Sequence, residues 1–129
     1  MNALIDRQEK YASVKVEEGK LDALIAPELK SLFTVFQEEG FRNIIADLQA
    51  VKYIDSSGLS AILVANRICK ESQGEFVLVG VNEHVLKLIK ISQLDKVLNI
   101  LPSFEEAVDF VFMSDLEKEM GLEEGEEDL

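Results

Sequence analysis

From residue 43 onward, short apolar β-forming runs alternate with segments whose apolar residues recur every three or four positions. Asn43-Ile44-Ile45-Ala46-Asp47-Leu48 is a strand-like run. Asp55-Ser56-Ser57-Gly58 then marks a turn into a helix expected to reach about Ser72, with Gly74 beyond its end. Phe76 to Val81 is almost continuously apolar, as a central strand buried on both faces requires. A helix carrying Val85, Leu86, Leu88 and Ile89 follows, then a brief strand over 97–100. The next helix is opened by the capping box Ser103-Phe104-Glu105-Glu106. Strands alternating with helices in this way form a parallel sheet joined by crossovers, an α/β domain.

The first forty residues read differently. Tyr11 to Glu17 alternates, setting Ala12, Val14 and Val16 against Tyr11, Ser13, Lys15 and Glu17, so this strand is expected to have one wet face. Residues 3–8 are an expected antiparallel partner for it. Pro27 opens a helix with Leu29, Leu32, Phe33 and Phe36 at helical spacing, closed by Gly40.

Charge and composition remove several function classes. The 129 residues carry a net charge of −12, and the last sixteen hold eight acids against Lys118 alone. Residues 1–113 are therefore expected to be the folded domain, and 114–129 an acidic, disordered, solubilising tail. No basic stripe is available to neutralise nucleic-acid phosphates or to bind anionic lipid. No run approaches the ~20 apolar residues of a membrane span, so no membrane insertion is expected. Residues 1–7 have neither the basic nor the apolar region of a signal peptide. One cysteine, Cys69, and one histidine, His84, provide neither an internal disulfide nor a His/Cys zinc site. The expected compartment is a reducing cytoplasm, with no metal and no cofactor.

The helix after Asp55 is the informative element. On a helical wheel Leu59, Ile62, Ala65, Asn66 and Cys69 gather on one side, flanked by Ala61 and Leu63, and should face the sheet. The other side collects Ser56, Ser57, Ser60, Val64, Arg67 and Glu71. A solvent strip is ordinarily charged throughout, whereas the first half of this one offers three hydroxyls and a bare valine. Another backbone can lie close against such a surface. Asp55 or Ser56 caps the helix on the simplest reading, and a residue can cap and still be modified.

Tyr53-Ile54-Asp55-Ser56-Ser57-Gly58-Leu59, followed by Ile62-Leu63, resembles the signature of anti-sigma factor antagonists of the STAS superfamily. Gly19-Lys20-Leu21-Asp22, the run 43–48, the run 85–97 and Phe104-Glu105-Glu106-Ala107 resemble further family segments in the expected order, so the likeness covers roughly residues 10–112. Two departures stand out. Ala23, Leu24 and Ile25 replace the small polar residues usual after the Asp, and Gln93 stands where a Gly is usual. The resemblance implies a single STAS-like domain: a mixed, mostly parallel sheet with antiparallel N-terminal strands and about four helices packed mainly on one face.

The resemblance also implies a function. Ser56 matches the family's phosphoacceptor, and Asp22, Asp55, Ser56, Ser57, Gly58, Ser60, Val64 and Arg67 form the expected partner-binding surface. The partners implied are an anti-sigma factor that is also a serine kinase, and a serine phosphatase acting on the phosphorylated form. Unphosphorylated, the chain would bind the kinase and free a sigma factor; phosphorylated, it would let go. An alternative keeps the fold and changes the client, making the chain an adaptor subunit of a signalling scaffold or of a lipid or anion transporter. Catalysis by this chain is not expected. It has no G-x-x-x-x-G-K loop, neither serine lies in a G-x-S-x-G elbow, and one His84 without triad order is thin support for a hydrolase. The expected oligomeric state is a monomer or weak dimer.

Overall fold

A computed structural model describes residues 1–121. Five strands form the main sheet: β1 (Ala3–Arg7), β2 (Ala12–Val16), β4 (Ile44–Asp47), β6 (Phe76–Val79) and β7 (Asn99–Leu101), in the order β1-β2-β4-β6-β7. β1 is antiparallel to β2, and every other pairing in the sheet is parallel. A second, two-stranded parallel ribbon pairs β3 (Lys20–Leu21) with β5 (Tyr53–Ile54). The helices are α1 (Ala26–Glu38), α2 (Ser56–Glu71), α3 (Glu83–Ile91) and α4 (Phe104–Glu119), with a short 3₁₀ turn at Leu94–Lys96.

Parallel neighbours cannot be joined by a tight turn, so α1, α2 and α3 carry the chain from β2 to β4, β4 to β6 and β6 to β7. All three cover one face, where Val14, Leu29, Phe33, Ile62, Leu78 and Ile89 belong to the larger core. α4 alone covers the other face, with Ala107 and Val111 against Ile45, Val77 and Val79. That division explains why β6 is apolar at every position: it is buried on both sides. It also corrects the expected wet face of β2. Tyr11 and Ser13 are buried, and the Phe104 ring at the start of α4 meets Tyr11 edge-to-face at 5.9 Å.

Helix ends follow local chemistry. Ser103 Oγ accepts the Glu106 N–H at 3.2 Å, the Ser half of the expected capping box. α4 runs six residues past the boundary expected at residue 113. Asp115 is only 3% exposed, accepting hydrogen bonds from Arg42 Nη2 at 3.1 Å and Asn43 Nδ2 at 3.2 Å. Ser114 Oγ donates to Glu75 at 2.7 Å, and Lys118 Nζ donates to the Gln73 carbonyl at 2.6 Å. Acid density in the sequence concealed these pairings, which fix residues 114–119 to the domain. The rest of the expected tail, 122–129, lies outside the described residues.

Gln93 adopts φ +60°, ψ +20°, the left-handed conformation a glycine would take, so the turn after α3 keeps its shape without the usual residue. A side chain there costs roughly 1 kcal/mol. Gln93→Gly is therefore expected to raise unfolding free energy, an effect that the greater entropy of glycine in the unfolded chain partly offsets. Urea denaturation checks this: an unchanged or lower midpoint would show that the turn is not strained.

Candidate functional site

The β3–β5 ribbon builds the site. Because β3 and β5 are parallel, with Leu21 beside Ile54, the chain leaves both strands at the same end. β3 leads into the turn at Asp22 and β5 into Asp55 and α2. Ligand-facing groups in open α/β folds collect at such carboxyl ends.

Asp55 is extended (φ −113°, ψ −172°), and its Oδ1 accepts the Gly58 N–H at 3.0 Å, an N-cap worth about 1 kcal/mol. Its backbone N–H donates to the Leu21 carbonyl at 3.3 Å, tying the cap to β3. Gly58 lets α2 press against that strand. A Cβ there would stand 2.3 Å from the Leu21 carbonyl oxygen and 2.6 Å from Ile54 Cγ1. With the Gly58 N–H used by the cap, the Ser56 and Ser57 N–H groups have no partner among the described residues. They lie at the positive end of the α2 dipole, an arrangement suited to an anion.

Ser56 is exposed beside these groups; Ser57, Ser60 and Val64 are half-buried, and Arg67 is exposed on a later turn. Asp22 is half-buried. Its carboxylate accepts the Leu24 N–H at 3.1 Å, and its carbonyl accepts the N–H groups of Ile25 and Ala26. Asp22 therefore shapes the loop beside Ser56. Gly58, grouped with the partner-facing residues on sequence, is buried and packs α2 against β3. The inward face of α2 also differs in detail from the wheel. Ile68 is buried, while Asn66 and Leu59 are only half-buried, because α2 packs against α1 as well as the sheet.

Two surface residues at this end were not singled out for the site by sequence. Leu24, at the tip of the Asp22 turn, is 83% exposed, and Tyr53 is also exposed. The signal available was Leu24 itself, an apolar residue where small polar ones are usual. Both residues leave large apolar surface exposed on the segments that lead into the Asp22 turn and into α2.

His84 is exposed in the first turn of α3, and among the described residues no hydrogen bond joins it to Ser56 or Ser57. Cys69 is buried in the core, and burial pushes its thiol up to about 12, so it is protonated and unreactive in the folded protein. Among the described residues no three His, Cys, Asp or Glu side chains gather to hold a metal ion, and no helix is long and apolar enough to cross a membrane.

The STAS domain family matches residues 13–107. The anti-sigma-B factor antagonist of Staphylococcus aureus (strain NCTC 8325 / PS 47) is 29% identical over 100 residues, spanning 78% of this chain and 92% of its own. The protein of the same name from Listeria monocytogenes is 32% identical over 82 residues, 64% of this chain and 72% of its own. Among solved structures, the Bacillus cell fate determinant SpoIIAA in its phosphorylated form superposes with a TM-score of 0.67 at 20% identity, covering 85% of this chain and 99% of that one.

Proposed function

The chain belongs to the STAS-domain family of anti-sigma factor antagonists, and on that premise we propose a phosphorylation-controlled partner switch centred on Ser56. The unphosphorylated chain binds an anti-sigma factor that is also a serine kinase, and so frees a sigma factor. The kinase transfers phosphate to the Ser56 hydroxyl, binding ends, and a serine phosphatase restores the acceptor. ATP and the general base belong to the kinase; this chain works by binding, in the cytoplasm where sigma factors act.

One observation carries the reading. Ser56 is an exposed hydroxyl at a strand-to-helix turn where the Ser56 and Ser57 N–H groups have no partner among the described residues and Asp55 caps the helix. A phosphate there adds about −1.5 to −2 charges at pH 7. The helix end accommodates that charge, so the fold persists. A docked partner surface does not accommodate it, because phosphate desolvated without matched cations is unfavourable. The same fold has been solved in a phosphorylated form, that of SpoIIAA, which supports its tolerance of the group. Asp22, Asp55, Ser57, Ser60, Val64 and Arg67 complete the contact surface, with Leu24 and Tyr53 as its apolar part.

The test is incubation with ATP and the serine kinases of the source cell, followed by intact mass and site mapping. A single phosphate on Ser56, absent from Ser56→Ala, is the expected result. No label under conditions that modify a control substrate would sink the switch and favour an adaptor role. A phosphate on Ser57 alone would keep the switch and remove Ser56 from it.

A further inference from the structure

α4 is apolar on two sides. Its inner side packs on the sheet through Ala107 and Val111. Its outer side carries Phe112, Met113, Leu116 and Met120, at 48%, 54%, 47% and 61% exposure. At roughly 100° per residue these four fall within one sector of about 100°, facing away from the sheet. A lone exposed leucine is ordinary; four large apolar side chains adjoining on one helix face make a contiguous patch. The patch runs into an open cleft of about 710 Å³ between Phe112 and Leu116 on one side and Lys10 and Tyr11 on the other.

Carboxylates edge this surface. Glu105, Glu106 and Asp109 are exposed on the preceding turns of α4, Glu117 and Glu119 on the same turns, and Glu9 lies across the cleft. The nearby cations are engaged. Lys118 is turned to the Gln73 carbonyl at 2.6 Å and to Glu75 at 3.6 Å, and Lys10 pairs with Glu119 at 3.5 Å. Beyond α4 the sequence adds Glu123, Glu124, Glu126, Glu127 and Asp128.

We propose that the outer face of α4 is a second docking surface, separate from the Ser56 end, whose occupant is a cationic amphipathic segment of a partner protein. Its apolar side chains would cover Phe112, Met113, Leu116 and Met120, and its Lys and Arg side chains would meet the carboxylate rim. Charge selects this occupant. A second copy of the chain brings the same row of carboxylates against itself, an anionic membrane meets the same repulsion, and so does the acidic segment 122–129. α4 covers the sheet face opposite α2, so occupancy here is compatible with a kinase at Ser56 and independent of its phosphorylation.

The test uses the full chain and a fluorescent Leu/Lys amphipathic helical peptide of roughly five turns, titrated at physiological salt. A Leu/Glu counterpart and a Leu/Lys scramble of identical composition are the controls. The Leu/Lys peptide is expected to bind and both controls to fail. Phe112→Ser with Leu116→Ser should weaken binding at least about tenfold, and Ser56→Glu should leave it unchanged. Thermal unfolding of the double variant establishes that it folds; should it fail, Met113→Ser with Met120→Ser samples the same face. Equal affinity of wild type and variant, or equal binding of the scramble, would reduce the effect to net charge and overturn the proposal. So would concentration-dependent dimerisation of the wild type that the variant abolishes, which would give the face to a second copy.

Discussion

Ser56→Glu is expected to weaken binding to the kinase sharply while leaving the thermal midpoint of the protein close to that of wild type. The substitution places a charged side chain where the proposed interface is closest. A buried charge without a partner costs roughly 2 kcal/mol or more, which is at least about 30-fold in affinity. Stability moves little because Ser56 is exposed and the introduced carboxylate would sit at the positive end of α2, where an anion is favourable by ~0.5 kcal/mol. Ser56→Ala should retain binding and lose labelling. Isothermal titration of the three proteins against the kinase, beside their melting curves, separates the two effects. Tight binding by Ser56→Glu would mean that charge at this position is not what releases the partner.

Gly58→Ala carries the second large effect, on the fold. The added methyl would stand 2.3 Å from a backbone oxygen of β3 and 2.6 Å from Ile54, neither of which can swing aside as a flexible surface side chain does. α2 must move away from the β3–β5 ribbon, breaking the close packing beneath the 55–58 turn. Overpacking of this kind costs about 1–3 kcal/mol, and the ~1 kcal/mol gained from replacing a helical glycine offsets only part of it. We expect the upper end of that range, a drop in melting temperature on the order of 10 °C. Partner affinity should fall with it, since the Asp55 cap and Ser56 ride on the same turn. A melting temperature within about 2 °C of wild type would show that α2 and β3 have room to separate.

Much of this was legible from local pattern. The alternation after residue 43 fixed the parallel strands and their crossovers, because a continuous apolar run marks a strand buried on both faces and a 3.6-residue period marks a helix that buries one. The Asp55 cap was legible for the same kind of reason: a side chain that bonds three residues ahead leaves its mark within one turn. Features that depend on distant segments were not. β3 and β5 are two residues each, too short to show any period, and they pair across more than thirty positions to place the Asp22 turn beside Ser56. Residues 114–119 looked like solvated tail because Asp115 and Lys118 count as charges in a composition, whereas Arg42, Asn43 and Gln73 meet them only after folding.

The sequence by itself thus determined the α/β class, the order of the main elements, the family and the Asp55 cap beside Ser56, all of them encoded within a few residues of one another. Only the tertiary structure decided how closely α2 presses on β3 at Gly58, that Leu24 stands exposed, that α4 reaches Glu119, and that the described residues leave its outer face uncovered. Each of those follows from which surfaces meet. Meeting is a property of distances between segments far apart in the chain, and no local pattern records it.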